Sequence, residues 1–321
     1  MRVIKAALPL LVLGASTLLF GSNALADARI VTSIKPLELL VRAIATEDME
    51  ISTLVPPGSS PHNYSIAPSN RRALESADIV FWVGPGMETF LTRLLTGSEF
   101  GERSIALMAT DARLENAGKV ADNHDGHDEG YDSSHDDEHH GHDHGDGEDP
   151  HIWVDPYMAV AMAQDIRDAL VTLEGTDSRA LDHNLAEFRA AVLEKETQIR
   201  KQLEPVTHIS LFAYHTAFIR FAEHYNLRLA GVLTLNPELS PGARHIAEVQ
   251  NKLRAADTPC LLTEPQFNRQ WWRSITEGLD VTFSTWDPLA TDIDATANGY
   301  AAFQQSIADA VLACLPENAE H

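Results

Sequence analysis

Short apolar runs alternate with amphipathic stretches along most of the chain, and this pattern predicts strands alternating with helices. In the first half, apolar side chains dominate the runs 29–34, 51–55 and 79–83, which we predict to be strands. Helices are predicted to start at Pro36 and Ser69, because a proline in the first turn and a serine cap are typical helix starts.

The same alternation restarts after Pro205. Predicted strands there cover 209–213, 228–235, 260–263 and 281–286, and predicted helices cover 216–225, 241–255 and 268–278. A repeated strand–helix order favours the α/β class with mainly parallel sheets. We therefore predict two α/β lobes, each a mainly parallel sheet flanked by helices.

A long helical stretch, at about 177–204, lies between the two halves and contains no proline or glycine. Its apolar residues recur at helical spacing: Leu181, Leu185, Phe188, Val192, Ile199 and Leu203. A helix of this length spans roughly 40 Å, more than one small domain needs. We predict that one rigid helix joins the lobes and resists hinge closure. An ordinary long surface helix within one domain is the alternative.

The first 26 residues have a pattern of their own. Arg2 and Lys5 precede an apolar run at 6–20, and Ala24 and Ala26 form a small-x-small cleavage site. This layout predicts a secretory signal peptide, since a membrane anchor would need roughly 20 apolar residues. The expected organisation is a signal peptide at 1–26, an N-terminal lobe at 27–175, a linking helix at 176–205 and a C-terminal lobe at 206–321.

The charge balance limits the classes of partner. Lys and Arg total 24 against 47 Asp and Glu, for a formal net charge of −23. This excess of acids argues against binding to nucleic-acid phosphates or anionic membrane surfaces, and it leaves small cations as plausible ligands. We expect no membrane insertion once the signal peptide is cleaved.

The two cysteines, Cys260 and Cys314, are too few for a four-thiolate metal site. In an exported protein two such cysteines are expected to form a structural disulfide. Two unpaired buried thiols are the alternative.

The segment 122–149 is unusually rich in histidine and acid. It has twelve acidic residues, no Lys or Arg, and seven histidines: His124, His127, His135, His139, His140, His142 and His144. With so few apolar side chains it cannot offset its ordering entropy, so we predict disorder when it is free. Imidazoles beside carboxylates predict auxiliary sites for metals such as Zn²⁺. A solubilising insertion with incidental metal binding is the alternative.

Four residues at or beyond the ends of predicted strands are candidates for the main site: His62, His151, His215 and Asp287. Ligands gather at the carboxyl ends of strands in open α/β sheets, and two candidates fall in each half. A site between the lobes could therefore use all four. The remaining ordered histidines lack a partner pattern and are predicted to be surface residues: His183, His208, His224 and His245.

Several motifs then point to a family. They are PPGSSPHNY at 56–64, ADIVFWVG at 77–84, DPHIWVDP at 149–156, AYH at 213–215, NPE at 236–238, SPG at 240–242, TEPQF at 263–267 and DPL at 287–289. In these motifs and in the histidine-rich insertion before His151, nearly the whole exported chain resembles the periplasmic zinc-binding proteins of ABC importers. A wider group that includes manganese carriers shares the resemblance.

The resemblance implies two lobes joined by one long helix, with metal between them. His62, His151 and His215 match the three histidine ligands of the family, and Asp287 matches an aspartate that coordinates in other members. Some zinc members place Glu before the first ligand, where this chain has Pro61. Asp287, a water or a loop histidine could complete the coordination. The cysteine pair matches the disulfide of zinc members.

By the same resemblance, Zn²⁺ is the transported ligand and a membrane permease of an ABC transporter is the partner of a monomeric periplasmic protein. Three neutral imidazoles with one oxygen suit tetrahedral Zn²⁺, whereas the manganese carriers have a carboxylate at the position of His215. Carriage of Mn²⁺ or another divalent metal is one alternative. A zinc hydrolase is another, with Glu264 as a base but no His-Glu-x-x-His helix. A zinc buffer acting through segment 122–149 is a third.

Overall fold

A computed structural model describes residues 28–110, 149–234, 242–267 and 269–315. The predicted signal peptide and the seven histidines of the histidine-rich segment lie outside these described residues. None of the described helices is both long and apolar enough to cross a membrane.

The first sheet contains four parallel strands in the order β2-β1-β3-β4. They are β1 (Arg29–Thr32), β2 (Glu50–Thr53), β3 (Ile79–Trp82) and β4 (Ser104–Ala106), and the helices between them are α1 (Lys35–Ile44), α2 (Pro68–Ser76) and α3 (Thr89–Leu95). The first three strands match the predicted ones. The sequence pattern missed β4, which is only three half-buried residues long and too short to show a period.

Two helices follow the first sheet, α4 (Pro156–Leu170) and α5 (Ser178–Leu203). Asp155 caps α4 by accepting hydrogen bonds from the backbone N–H groups of Tyr157 and Met158, which fixes where this helix starts. The helix α5 is the predicted linking helix. All six residues of its predicted apolar stripe are buried, as is Glu196, which interrupts the stripe.

The second sheet repeats the arrangement of the first, with parallel strands in the order β6-β5-β7-β8. Its strands are β5 (Ser210–Ala213), β6 (Leu229–Val232), β7 (Pro259–Thr263) and β8 (Thr282–Thr285). The helices of this half are α6 (Ile219–His224), α7 (Ala243–Ala255), α8 (Arg269–Thr276) and α9 (Gly299–Leu312). The predicted α/β class with two parallel sheets is confirmed.

The two lobes share one apolar core. The helix α9, at the end of the second lobe, packs against α5 and also against α1 of the first lobe. Phe188 of α5 and Tyr300 of α9 are buried in the same cluster as Leu37 of α1. Opening the lobes would expose this apolar surface to water, which costs about 25 cal/mol of free energy per Å². The shared core therefore opposes a wide hinge motion.

The cysteines form the expected disulfide. Cys260 of β7 is bonded to Cys314, just beyond α9, with 5.7 Å between the Cα atoms. Both residues are buried, so the bond ties the last helix to a central strand of the second sheet.

Candidate metal centre

The three predicted histidines come from three separate loops that meet between the lobes. His62 lies in the turn after β2, where its backbone N–H donates to Ser60 Oγ at 3.3 Å. His151 begins the short turn before α4, and His215 directly follows β5. Neighbouring parallel strands end at one edge of a sheet, which brings such loops together.

The ring nitrogens of the three histidines converge. The Nε2 atom of His151 lies 3.3 Å from Nε2 of His62 and 3.2 Å from Nε2 of His215. Within the described ranges this is the only group of three or more potential metal ligands whose donor atoms all lie within 4.8 Å of one another. Tetrahedral zinc with bonds of 2.0–2.1 Å separates neighbouring nitrogens by about 3.3–3.4 Å. The histidine geometry therefore fits one zinc ion.

Two carboxylates orient the imidazoles. Asp149 Oδ1 lies 2.6 Å from Nδ1 of His151, and Glu264 Oε1 lies 2.6 Å from Nδ1 of His215. A carboxylate that accepts the proton of Nδ1 leaves the lone pair of Nε2 free for a metal. Because Nδ1 and Nε2 point away from each other, both carboxylates lie on the far side of their rings from the centre.

Burial keeps His62 and His151 neutral. It lowers the pKa of His62 to about 3, with a further decrease from the nearby His151 and His215. Burial also lowers the pKa of His151, against the opposing effect of Asp149. For Asp149, burial would raise the carboxyl pKa, but the hydrogen bonds from His151 and the charge of Arg220 outweigh this and lower it. Neutral imidazoles are the form that binds metal.

The pocket around the centre is small and mostly apolar. It has about 10 Å³ of free volume and is lined by Trp153, Phe267, Pro288 and Leu289 in addition to the histidines, Glu264 and Gln266. Trp153 and Phe267 pack their rings against His151 and His215, with centroids 5.3 and 5.5 Å apart. Such a volume accepts about one water-sized ligand.

Asp287, the predicted fourth ligand, is not in the histidine group among the described residues. Its Oδ1 accepts hydrogen bonds from Gln266 Nε2 at 2.5 Å and from the backbone N–H of Leu289 at 2.9 Å. Its Oδ2 accepts from the backbone N–H of Thr291 at 2.8 Å. Both oxygens are thus engaged in a turn, and coordination by Asp287 stays a prediction.

Two cross-lobe contacts near the centre were not predicted from the sequence pattern. Arg220 of α6 donates to the backbone carbonyl of Asp149, and no local pattern links residues 71 positions apart. The side chain of His224, predicted at the surface, is only 5% exposed and lies between Asp155 Oδ2 and Glu196 Oε1, at 3.1 and 3.4 Å. That prediction was wrong. The sequence did contain a signal for this contact, namely Glu196 within the apolar stripe of α5, because a buried carboxylate requires a partner.

The other predicted surface histidines are more accessible. His183 and His208 are exposed, as predicted. His245 is half-buried, with Nε2 at 3.1 Å from the carbonyl oxygens of Val232 and Leu233.

Comparison with known proteins gives the family. Over residues 30–314 the sequence matches the family described as ZnuA, zinc-uptake complex component A, periplasmic. The chain belongs to the ZnuA family. A ZnuA relative from Yersinia pestis, named high-affinity zinc uptake system protein ZnuA, is 33% identical over 310 residues, or 94% of this chain and 96% of that protein. The ZnuA of Haemophilus ducreyi is 34% identical over 310 residues, covering 93% of this chain and 97% of that protein.

Solved structures show the same fold as this ZnuA-family chain. A crystal structure of ZnuA superposes on this chain with a TM-score of 0.68 at 21% sequence identity, and the match covers 89% of this chain and 99% of that one. The solute-binding protein FpvC from Pseudomonas aeruginosa, in complex with Mn²⁺, superposes with a TM-score of 0.70 at 17% identity, covering 91% and 99%. These likenesses confirm the two-lobed architecture.

Proposed function

We propose that this protein is a periplasmic solute-binding protein that captures Zn²⁺ between its lobes and delivers it to the permease of an ABC importer. His62, His151 and His215 bind the ion, and the observation that carries this assignment is the convergence of their rings, with Nε2 of His151 3.3 Å from that of His62 and 3.2 Å from that of His215. The names of the ZnuA relatives support zinc as the cargo. The protein acts as a monomer.

The donor set favours zinc over manganese. Three neutral imidazoles suit a borderline metal, whereas Mn²⁺ prefers carboxylate, carbonyl and water oxygens. Cu²⁺ and Ni²⁺ also bind imidazole, and one fold neighbour is titled as a complex with Ni²⁺. Exclusion of manganese is therefore the selectivity that the site itself supplies.

The same pocket favours transport over hydrolysis. About 10 Å³ of free volume leaves no room for a peptide or ester beside the histidines. The side chain of Glu264, the candidate base, is 0% exposed and is held on the Nδ1 side of His215. It is therefore placed to orient a ligand rather than to activate a water. The seven histidines of segment 122–149 supply auxiliary sites that gather zinc for this centre.

A chelator-competition zinc titration tests the proposal in two forms of the exported chain, one intact and one lacking residues 122–148. The deletion stops before Asp149, because this residue orients His151. We expect both forms to keep one tight site that excess Mn²⁺ does not occupy. His215→Ala should weaken that site at least a hundredfold, whereas the exposed His183→Ala should leave it unchanged. Loss of the tight zinc site on deletion would instead assign zinc binding to segment 122–148.

A further inference from the structure

Gln266 shares the pocket of the three histidines and has one polar atom unused. It follows β7 by three residues and lines the centre together with His62, His151 and His215. Its Nε2 donates to Asp287 Oδ1 at 2.5 Å. Its Oε1 is buried and has no hydrogen-bond partner among the described residues. A buried acceptor without a partner costs free energy unless a ligand or water satisfies it.

The carboxylate of Asp287 decides which way this amide faces. A carboxylate only accepts hydrogen bonds, so the NH₂ group of Gln266 must turn toward Asp287 and the carbonyl oxygen must turn away from it. The backbone N–H groups of Leu289 and Thr291 hold the carboxylate in place. Gln266 thus brings to the pocket an oxygen that can accept a hydrogen bond but cannot donate one.

The other oxygens of the pocket are less suited to the fourth position of the ion. Glu264 lies on the Nδ1 side of His215, away from the converging Nε2 atoms. Ser60 Oγ accepts a hydrogen bond from the backbone of His62. The free volume of about 10 Å³ is close to that required for one water.

We propose that a water is the fourth ligand of the zinc ion, and that Gln266 Oε1 accepts a hydrogen bond from this water. Asp287 is then a positioning residue that acts through Gln266 and does not touch the ion. The inference rests on the proposed function, because it assumes zinc bound by the three histidines. It also leaves every zinc ligand neutral, since neither a carboxylate nor a thiolate contacts the ion.

Two substitutions separate this proposal from direct coordination by Asp287. Gln266→Ala removes the acceptor and should weaken zinc binding roughly ten- to a hundredfold, the usual effect of losing a partner of a metal ligand. Asp287→Asn keeps an oxygen that can accept from Gln266, so zinc affinity should stay within about threefold of wild type. If Asp287 were the ligand, the order would reverse, with a large loss for Asp287→Asn and a small one for Gln266→Ala.

The measurement is chelator competition on the full exported chain at substoichiometric zinc, so that only the tightest site fills. Gln305→Ala on α9 is the matched control, because this glutamine bonds Gln202 and Asp309 far from the pocket and should leave affinity unchanged. Thermal unfolding without zinc checks that each variant folds.

A crystal structure of the zinc-loaded chain is the second test. We expect an oxygen of water at about 2 Å from the ion and within hydrogen-bond distance of Gln266 Oε1. An oxygen of Asp287 on the zinc would overturn the inference and leave the proposed function intact. Failure of His215→Ala to weaken zinc binding would instead contradict the proposed function.

Discussion

The guanidinium of Arg220 donates two hydrogen bonds to the backbone carbonyl of Asp149, at 3.1 Å from Nε and 2.5 Å from Nη2. Arg220 belongs to α6 in the second lobe, and the side chain of Asp149 holds Nδ1 of His151. The second lobe therefore positions a proposed metal ligand that the first lobe contributes. This contact joins the lobes at the metal centre as the shared apolar core joins them elsewhere.

Replacing Arg220 by Met should loosen His151. The aliphatic part of the side chain is kept, but both hydrogen bonds to Asp149 are lost, so we expect zinc affinity to fall roughly tenfold. Chelator competition on Arg220→Met measures the loss. The exposed Arg228 of the same lobe provides the control, and Arg228→Met should bind zinc as wild type does. Equal affinities in the two variants would show that the contact does not position the ligand.

Glu264→Gln should also weaken zinc binding, by about ten- to a hundredfold, because a neutral amide is a poorer acceptor for the Nδ1 proton of His215 than a carboxylate. The same titration measures this effect. Glu223→Gln, at an exposed position of α6, carries the same change of charge away from the centre and should have no effect. Comparable losses in both would indicate a general effect of net charge.

Zinc binding should depend only weakly on pH between 7 and 6. Burial holds the pKa of His62 near 3 and lowers that of His151, so these two of the three proposed ligands stay neutral where free imidazole begins to gain protons. Competition with a chelator of known protonation constants, measured across this range, checks the expectation. A tenfold loss of zinc affinity between pH 7 and pH 6 would contradict it.

The buried Glu88 should lower the free energy of unfolding as pH rises, whereas most carboxylates raise it. Burial raises its pKa to about 7, although the Ser33 hydroxyl and the N–H groups of Val83 and Gly84 donate to it. Since the folded pKa lies above the ordinary value of 4.5, its contribution is full below pH 4.5 and is lost as pH rises to about 7. The loss is of the order of 3 kcal/mol.

Glu88→Gln removes this titration. The unfolding free energy of the zinc-free variant, relative to wild type, should therefore rise between pH 4.5 and 8. Denaturant unfolding at several pH values measures both proteins, and the buried histidines cancel in the difference. Parallel curves for the two proteins would mean that Glu88 stays charged in the folded state.

Loss of the disulfide should cost stability without affecting zinc binding. A bond between residues 54 positions apart is expected to contribute about 4 kcal/mol through the entropy of the unfolded chain. Denaturant unfolding of the double variant Cys260→Ala and Cys314→Ala measures this loss. Its zinc affinity at a temperature where it is folded should match wild type, because Cys260 lies at the other end of β7 from Glu264.

Local patterns in the sequence were sufficient for most of the fold. Apolar runs located seven of the eight described strands, and the stripe on α5 identified the linking helix, because periodicity depends only on near neighbours in the chain. The exception, β4, pairs with β3 through three residues and owes its conformation to that pairing rather than to its own pattern.

The three histidines could be identified as candidate metal ligands from their positions after predicted strands and from their family motifs. The structure brings their ring nitrogens together. What surrounds them was decided by tertiary structure. His215 and Glu264 are 49 residues apart and meet because β5 and β7 are neighbours in the second sheet. Arg220 reaches Asp149 because the lobes share a core, and Asp287 turns toward Gln266. Such pairings depend on strand order and lobe packing, which no local sequence pattern encodes.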